Sequence, residues 1–380
     1  MFAAVKLAIA FDQRLAYVHA PLALVLLGSA IATGCVADSK EAPDDADAPV
    51  LETPALDLLA SPAKPAVALE QTEPTDDDSI LLSAVGDCTL GDPAGAERAP
   101  GSFHKMHENA GGDLSRPFSG VIEVLDQDDL TIANLEGTLT TAKHREGTAF
   151  AFRGRPEFAS MLTKGSVEVV SLANNHSADC GARGIEDTKK SLEQADVGYF
   201  GLGHVDKRTI KGIEVVNLGY TGGRLDVRDA MAKAVKHEKR PDNLVVVSFH
   251  WGIEGEHSAN DVQQKLAYAA VDAGADLVLG HHPHVLQGIE VYKGKHVVYS
   301  LGNFVFGGNA QPASIESMIF QARFKKTDGV VTGAGTEIIP VHFSGDKTQN
   351  DFRPVLVDGE MAVRIRKNID AYSALLPKSK

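Results

Sequence analysis

"ADLVLGHHPHVLQGIEVY", residues 275–292, runs apolar for the length of a strand, stops at Gly280, and then sets His281, His282 and His284 around Pro283. A short apolar run closed by glycine reads as a buried strand. Three imidazoles at its end would each need polar partners if buried, whereas one metal ion satisfies two of them at once. Proline holds the residue before it extended, so His282 and His284 are expected to be presented rigidly from a single loop.

The same grammar recurs along the chain. "ILLSAVGD" (80–87), "DLTIANLEG" (129–137), "VEVVSLANNH" (167–176), "NLVVVSFHWG" (243–252) and "HVVYSLGNF" (296–304) are apolar runs that end in carboxylate, carboxamide or imidazole. Helix-like stretches lie between them at 115–128, 156–164, 182–195 and 259–273, the last opening near Ser258 as a candidate N-cap. Strands alternating with helices predict an α/β fold, and such folds collect their chemistry at the carboxyl ends of strands. "SMIFQARF" (317–324) and "TEIIPVHF" (336–343) predict further strands, and the last twenty or so residues a short helix or tail. The expected domain spans 80–345, with 346–380 as a C-terminal extension.

The N-terminal part has a different character. Lys6 and Arg14 precede the uncharged run "PLALVLLGSAIATGC" (21–35), too short to span a bilayer and suited to a signal-peptide core. Its end predicts a lipoprotein-type signal over 1–35 with Cys35 lipidated, the alternative being an ordinary secretory signal; either predicts export and a cell-envelope location. Residues 36–79 hold twelve acids against Lys40 and Lys64, and six prolines without an aromatic residue. That composition predicts a disordered acidic tether. The tether carries ten of the fourteen net negative charges, so the rest of the chain is near neutral. No clustered basic face is visible, which argues against nucleic acid as a partner.

The strand ends supply Asp87, Asn134, Glu136, Asn174, Asn175, His176, Asp179, His250, Glu254, His281, His282 and His284. Carboxylate, carboxamide and imidazole converging from separate strands are the ligand mix of a divalent-metal site of the Zn, Mn or Fe kind. Taken singly each has a plainer reading: "GD" as a turn, "NNH" as a hydrogen-bonded loop, "HWG" as a packed aromatic corner, Glu254 as a solvated helix residue. Their conjunction in one domain favours the metal site.

The ordered set "GD", "NLEG", "NNHSADCG", "HWGIE" and "GHHPHVLQGIEVYKGKHVVYSLGNFVF" resembles the CapA-type poly-γ-glutamate capsule synthesis proteins, over residues 80 to about 310. Their domain is similar to the calcineurin-like metallophosphoesterases. The resemblance implies a four-layer α/β/β/α sandwich, metallo-dependent phosphatase-like, with metal ligands Asp87, Glu136, Asn175, His250, His282 and His284. It makes His176 the substrate-facing acid or base, with Asp179 or Glu254 to orient it, and leaves His281 outside the ligand set. Thr89 and Glu136 stand where the phosphoesterases have histidine and aspartate, so one metal and two remain open.

Three functions follow from the resemblance, in order. The first is an envelope protein handling a poly-γ-glutamate-type anionic polymer, together with capsule synthesis subunits in the membrane, by amide hydrolysis or by proton abstraction at an α-carbon. The second is an extracytoplasmic phosphoesterase, the third a non-catalytic polymer-binding module. If the loops meet at the metal, Cys88 and Cys180 form a disulfide or remain two buried thiols. Lys143, His144, Arg153 and Arg155 are candidates for a basic rim that reads the polyanion, or else for an ordinary solvated loop.

Overall fold

The apolar runs become strands buried on both faces, as the computed structural model shows for residues 79–143, 150–308, 314–346 and 349–377. The signal, Cys35 and the tether up to residue 78 lie outside the described residues; Ser79, assigned to the tether, already belongs to the first strand. The strands are β1 (Ser79–Thr89), β2 (Leu130–Leu135), β3 (Thr138–Leu139), β4 (Arg153–Gly154), β5 (Val169–Ser171), β6 (Gly198–Phe200), β7 (Asp206–Ile210), β8 (Ile213–Thr221), β9 (Asn243–His250), β10 (Leu277–His281), β11 (Ile289–Tyr292), β12 (Lys295–Val298), β13 (Asn303–Phe306), β14 (Glu316–Thr327), β15 (Val330–His342) and β16 (Val355–Leu356). The α-helices are α1 (Phe103–Asn109), α2 (Ile122–Leu125), α3 (Ala159–Lys164), α4 (Gly181–Gln194), α5 (Arg228–Glu238), α6 (Asp261–Ala273) and α7 (Gly359–Ala374).

One sheet runs β16-β15-β14-β1-β2-β5-β6, with β13 also on β1; the other runs β11-β12-β10-β9-β8-β7. Strand alternation sorts the core into three slabs. Ile80, Leu82, Leu130 and Ile132 of the first sheet meet Leu244, Val246, Leu277 and Leu279 of the second. On the outer face of the first sheet, Ala133, Leu135 and Val170 pack under Leu125, Met161 and Leu192 of the helices. On the outer face of the second, Val245, Val247 and Val278 pack under Met231, Val235, Leu266 and Ala270. The result is the four-layer α/β/β/α sandwich. Residues 349–377 belong to the same body: β16 pairs with β15, and Ile365 and Ile369 of α7 enter the central slab.

A bulge in β1 aims the first carboxylate. Pairing with β2 runs to Ala84↔Ile132 and resumes at Asp87↔Asn134, so β1 carries one extra residue. Ile80, Leu82 and Ala84 face the central slab, but beyond the bulge it is Cys88 and Leu90 that face the helices. The extra residue therefore turns Asp87 toward the gap between the sheets. Gly86 is required there, because a Cβ would sit 2.0 Å from the carbonyl oxygen of Gly302.

Two local expectations are corrected. The stretch 115–128 is no continuous helix but a 3-10 turn at Arg116–Phe118 and the single turn α2. At Gly120 the backbone of Pro354 comes so close that a Cβ would lie 2.4 Å from its oxygen. Helix α6 is capped by Asn260, not Ser258: Asn260 Oδ1 accepts from the amides of Val262 and Gln263, and Gln263 reciprocates to the Asn260 amide.

Candidate metal centre

The alternation that builds the central slab turns polar at the carboxyl ends of its strands. The series Leu130, Ile132 continues to Asn134; Leu244, Val246 to Ser248 and His250; and Leu277, Leu279 to His281, which pairs with His250 across the sheet. The site is thus the polar continuation of the core and inherits its rigidity.

Asp87 is fully buried and fully engaged. Its Oδ1 accepts from Asn134 Nδ2 at 2.9 Å, and its Oδ2 from the His282 amide at 3.2 Å. His281 Nδ1 stands 3.3 Å from Oδ1 and His284 Nδ1 3.2 Å from Oδ2. Burial alone would raise this carboxyl, but the two imidazoles hold it well below the usual carboxylate range.

Glu136 is equally buried and has the opposite surroundings: neither carboxylate oxygen receives a hydrogen bond from the described residues. Imidazole nitrogens stand off at 3.5 Å (His250 Nε2) and 3.8 Å (His176 Nε2 and His284 Nε2) from Oε1. Burial pushes Glu136 well above its ordinary range, and burial likewise lowers His250 and His282, which keeps both imidazoles in the neutral form that binds cations. Burial would lower His284 too, but Glu136 and Asp87 push it up to about 10. His250 Nε2 and His282 Nδ1 are buried without partners.

Three sets of ligand atoms lie mutually within 4.8 Å: Glu136, His250 and His282; Asp87, Glu136 and His284; and Glu254, His282 and His284. The residues fit a divalent cation. A carboxylate with no donors, beside imidazole nitrogens with no partners, is the donor set that a cation completes and that is costly otherwise.

Beside these residues opens a cleft of about 420 Å³, lined among others by Asn175, His176, Glu254 and His284. His176 Nδ1 is 2.9 Å from Asp179 Oδ2, which also accepts the Phe152 amide at 2.6 Å. Asp179 therefore orients His176. Glu254 is exposed and joins His282 and His284 rather than His176. Asn175 is exposed in the cleft wall, whereas its neighbour Asn174 is buried and donates to Asn134 Oδ1 and Leu135 O.

Several expectations change in detail. His282 precedes proline yet has φ +96°, and His284 has φ +59°, so the loop is held in the left-handed half of backbone space rather than extended. The hydrogen bond from the His282 amide to Asp87 is what holds that turn. His281 packs against Asp87 from within the sheet, away from the cleft. Cys88 and Cys180 are free buried thiols, not a disulfide: Cys180 Sγ accepts from Thr138 Oγ1 at 3.2 Å, and Cys88 Sγ faces Gly86 O. Arg153 binds Glu97 and Ala142 O, and Arg155 binds Glu108, so neither lines the cleft as a basic rim. Lys143 is exposed outside the cleft lining, and His144 lies outside the described residues. Asn303, absent from the expected site residues, joins them: its Oδ1 stands 3.0 Å from His284 Nδ1, and its place at the end of "YSLGN" is the signal for it in the sequence.

A family model described as "Bacterial capsule synthesis protein PGA_cap" matches residues 81–308. The chain is 38% identical over 177 residues to the "Capsule biosynthesis protein CapA" of Bacillus anthracis, covering 40% of this chain and 43% of that one. It is 30% identical over 254 residues to the "PGA biosynthesis protein CapA" of Bacillus subtilis (strain 168), covering 60% and 64%. It therefore spans less than two thirds of the length of either curated relative. Among solved structures, the calcineurin-like phosphoesterase YfkN from Bacillus subtilis aligns with a TM-score of 0.43 at 13% identity, over 78% of this chain and 98% of that one. With the family model covering more than half of its length, the chain belongs to the bacterial capsule synthesis protein family PGA_cap.

Proposed function

We propose that this protein acts in the synthesis, export or processing of a poly-γ-glutamate-type polymer, as a divalent-cation-dependent amide hydrolase at the cleft beside Glu136. The observation that carries the catalytic part is Glu136 itself, a buried carboxylate with no hydrogen-bond donor, ringed by the nitrogens of His250, His176 and His284. Asp87, His282 and His284 would share the cation with Glu136 and His250, and exposed Asn175 stands at the cleft side of that set. When bound, the cation supplies Lewis-acid polarisation of an amide carbonyl and lowers the pKa of water at neutral pH.

The chain's own residues do the rest. Asp179 fixes the ring of His176 through Nδ1, so Nε2 faces the cleft and is placed to give a proton to the leaving amide nitrogen. His281, Asn134 and Asn303 hold Asp87 and His284 in place, which limits reorganisation when substrate binds. Metal analysis of the purified protein, with turnover of a γ-glutamyl oligomer and of an aryl phosphate, tests the assignment. Bound cation and γ-glutamyl turnover, both lost in His282→Ala, are expected; cation-independent turnover contradicts it, and preference for the phosphate ester favours the phosphoesterase reading.

The same reading puts the protein on the outer side of the membrane through lipidated Cys35, where it would meet membrane-bound synthesis subunits. It is supported by "ATGC" after the apolar run and by the Pro/Asp-rich segment that follows. Cys35→Ser should release the protein from the membrane fraction; unchanged membrane retention would overturn the anchor.

A further inference from the structure

The cleft carries a feature that cation chemistry does not use. Phe150, Phe152 and Phe306 line it together with Pro283 and Val285, so an apolar wall stands directly beside the ligand and acid groups. The Phe152 ring lies 4.6 Å from that of His176, the Phe306 ring 4.9 Å from that of His284, and the two phenyl rings 6.3 Å from each other. Phe152 and Phe306 are buried, while Phe150 is 64% exposed at the mouth. An exposed phenyl that faces a cleft is apolar surface available to an occupant.

Resting on the polymer reading above, we propose that these phenylalanines form a slot that reads the main-chain methylenes of a γ-linked glutamyl unit. A γ-linked chain passes from one amide to the next through Cα and two CH₂ groups. An α-linked chain has only Cα between its amides and carries its methylenes in a side chain that ends in carboxylate. At the acid His176 and the ligand His284, the substrate presents the atoms flanking the scissile amide, and those atoms lie against Phe152 and Phe306. Two methylenes drawn from water into that slot favour the γ-linked chain by about tenfold in affinity. The α-carboxylate of the unit in the slot is left to the side of the cleft lined by the neutral amide of Asn175 and by Glu254, whose charge a cation held by His282 and His284 would offset. Phe150 covers the unit at the entrance, so its loss costs binding without touching the ligand residues.

The test measures binding of a γ-linked and an α-linked glutamate pentamer by calorimetry to the cation-loaded full chain in the His176→Ala background, where turnover is suppressed, for the wild-type residue at 150, Phe150→Ala and Phe150→Leu. The slot predicts that the protein with Phe150 in place binds the γ-linked pentamer about tenfold more tightly. Phe150→Ala should lower that preference several-fold at unchanged cation stoichiometry, and Phe150→Leu should restore most of it. Equal affinity for the two pentamers with Phe150 in place, or an unchanged preference in Phe150→Ala, overturns the slot while leaving the polymer reading intact. Binding of neither pentamer overturns both.

Discussion

The two ends of β10 hold buried charge in opposite ways. At its amino end Asp276, 4% exposed, accepts from Lys239 Nζ at 2.5 Å, Lys295 Nζ at 2.8 Å and the Val245 amide at 2.9 Å. At its carboxyl end, where His281 leads into the histidine loop, Glu136 has no hydrogen-bond donor among the described residues, and His250 Nε2 and His282 Nδ1 have no partner there. Both ends pack in the same sandwich, so the difference is not one of burial. Buried polar groups are normally satisfied, and a cluster of unsatisfied ones marks either an error of folding or a place kept for a ligand. One end is completed by the chain; the other presents the donor set that a bound cation would complete.

The comparison can be broken most severely at His176. His176→Ala removes the proposed proton donor while leaving the proposed ligand set, so γ-glutamyl turnover should fall about 10²- to 10⁴-fold with cation stoichiometry unchanged. Loss of the cation along with turnover would make His176 a ligand and shift the boundary of the unsatisfied end. At the satisfied end, Asp276→Ala removes the carboxylate shared by Lys239 and Lys295, leaving Lys239 only Asn243 O, and removes an acceptor for the Val245 amide. It should cost about 3 kcal/mol of stability in chemical denaturation, with no change in cation binding. A cost below about 1 kcal/mol would mean that the network is dispensable. The smallest effect is at the cap of α6: Asn260→Ala should cost about 1 kcal/mol and leave both ends as they are, unless the 252–260 loop needs that cap to hold Glu254 at the cleft.

Much of this arrangement is legible from residue order alone, because alternation along a strand is a property of sequence. Leu244, Val246 and His250 share a parity, as do Leu277, Leu279 and His281, so the faces of β9 and β10 follow directly. Asp87 does not follow, since its face depends on the bulge after Ala84. Strand β7 and helix α5 leave little trace in the sequence, because "DKRTI" has no apolar run and α5 buries little more than Met231 and Val235 of its apolar face. The choice of Asn175 over Asn174 rests on the family resemblance and not on the residues themselves. Both are carboxamides in one loop, and only the backbone turn decides which side chain is buried on Asn134 and which faces the cleft. The thiols illustrate the same limit: Cys88 is the penultimate residue of β1 and turns to Gly86 O, while Cys180 at the start of α4 turns to Thr138.

Glu136→Gln tests the central claim most directly, through denaturation measured in chelator and again with divalent cation added. Because burial holds the Glu136 carboxyl well above its unfolded value, this group costs the cation-free wild type stability as pH rises from the ordinary carboxylate range to the raised value, while Asp87, held low, contributes with the opposite sign in the lower part of that range and is common to both proteins. The glutamine variant has no such loss. At neutral pH in chelator, Glu136→Gln should therefore be as stable as wild type or more so by about 1–3 kcal/mol. Added cation at about a hundredfold over its dissociation constant should stabilise wild type by about 3 kcal/mol and leave the variant where it was. A variant less stable than wild type in chelator, or a wild type indifferent to cation, would contradict the account.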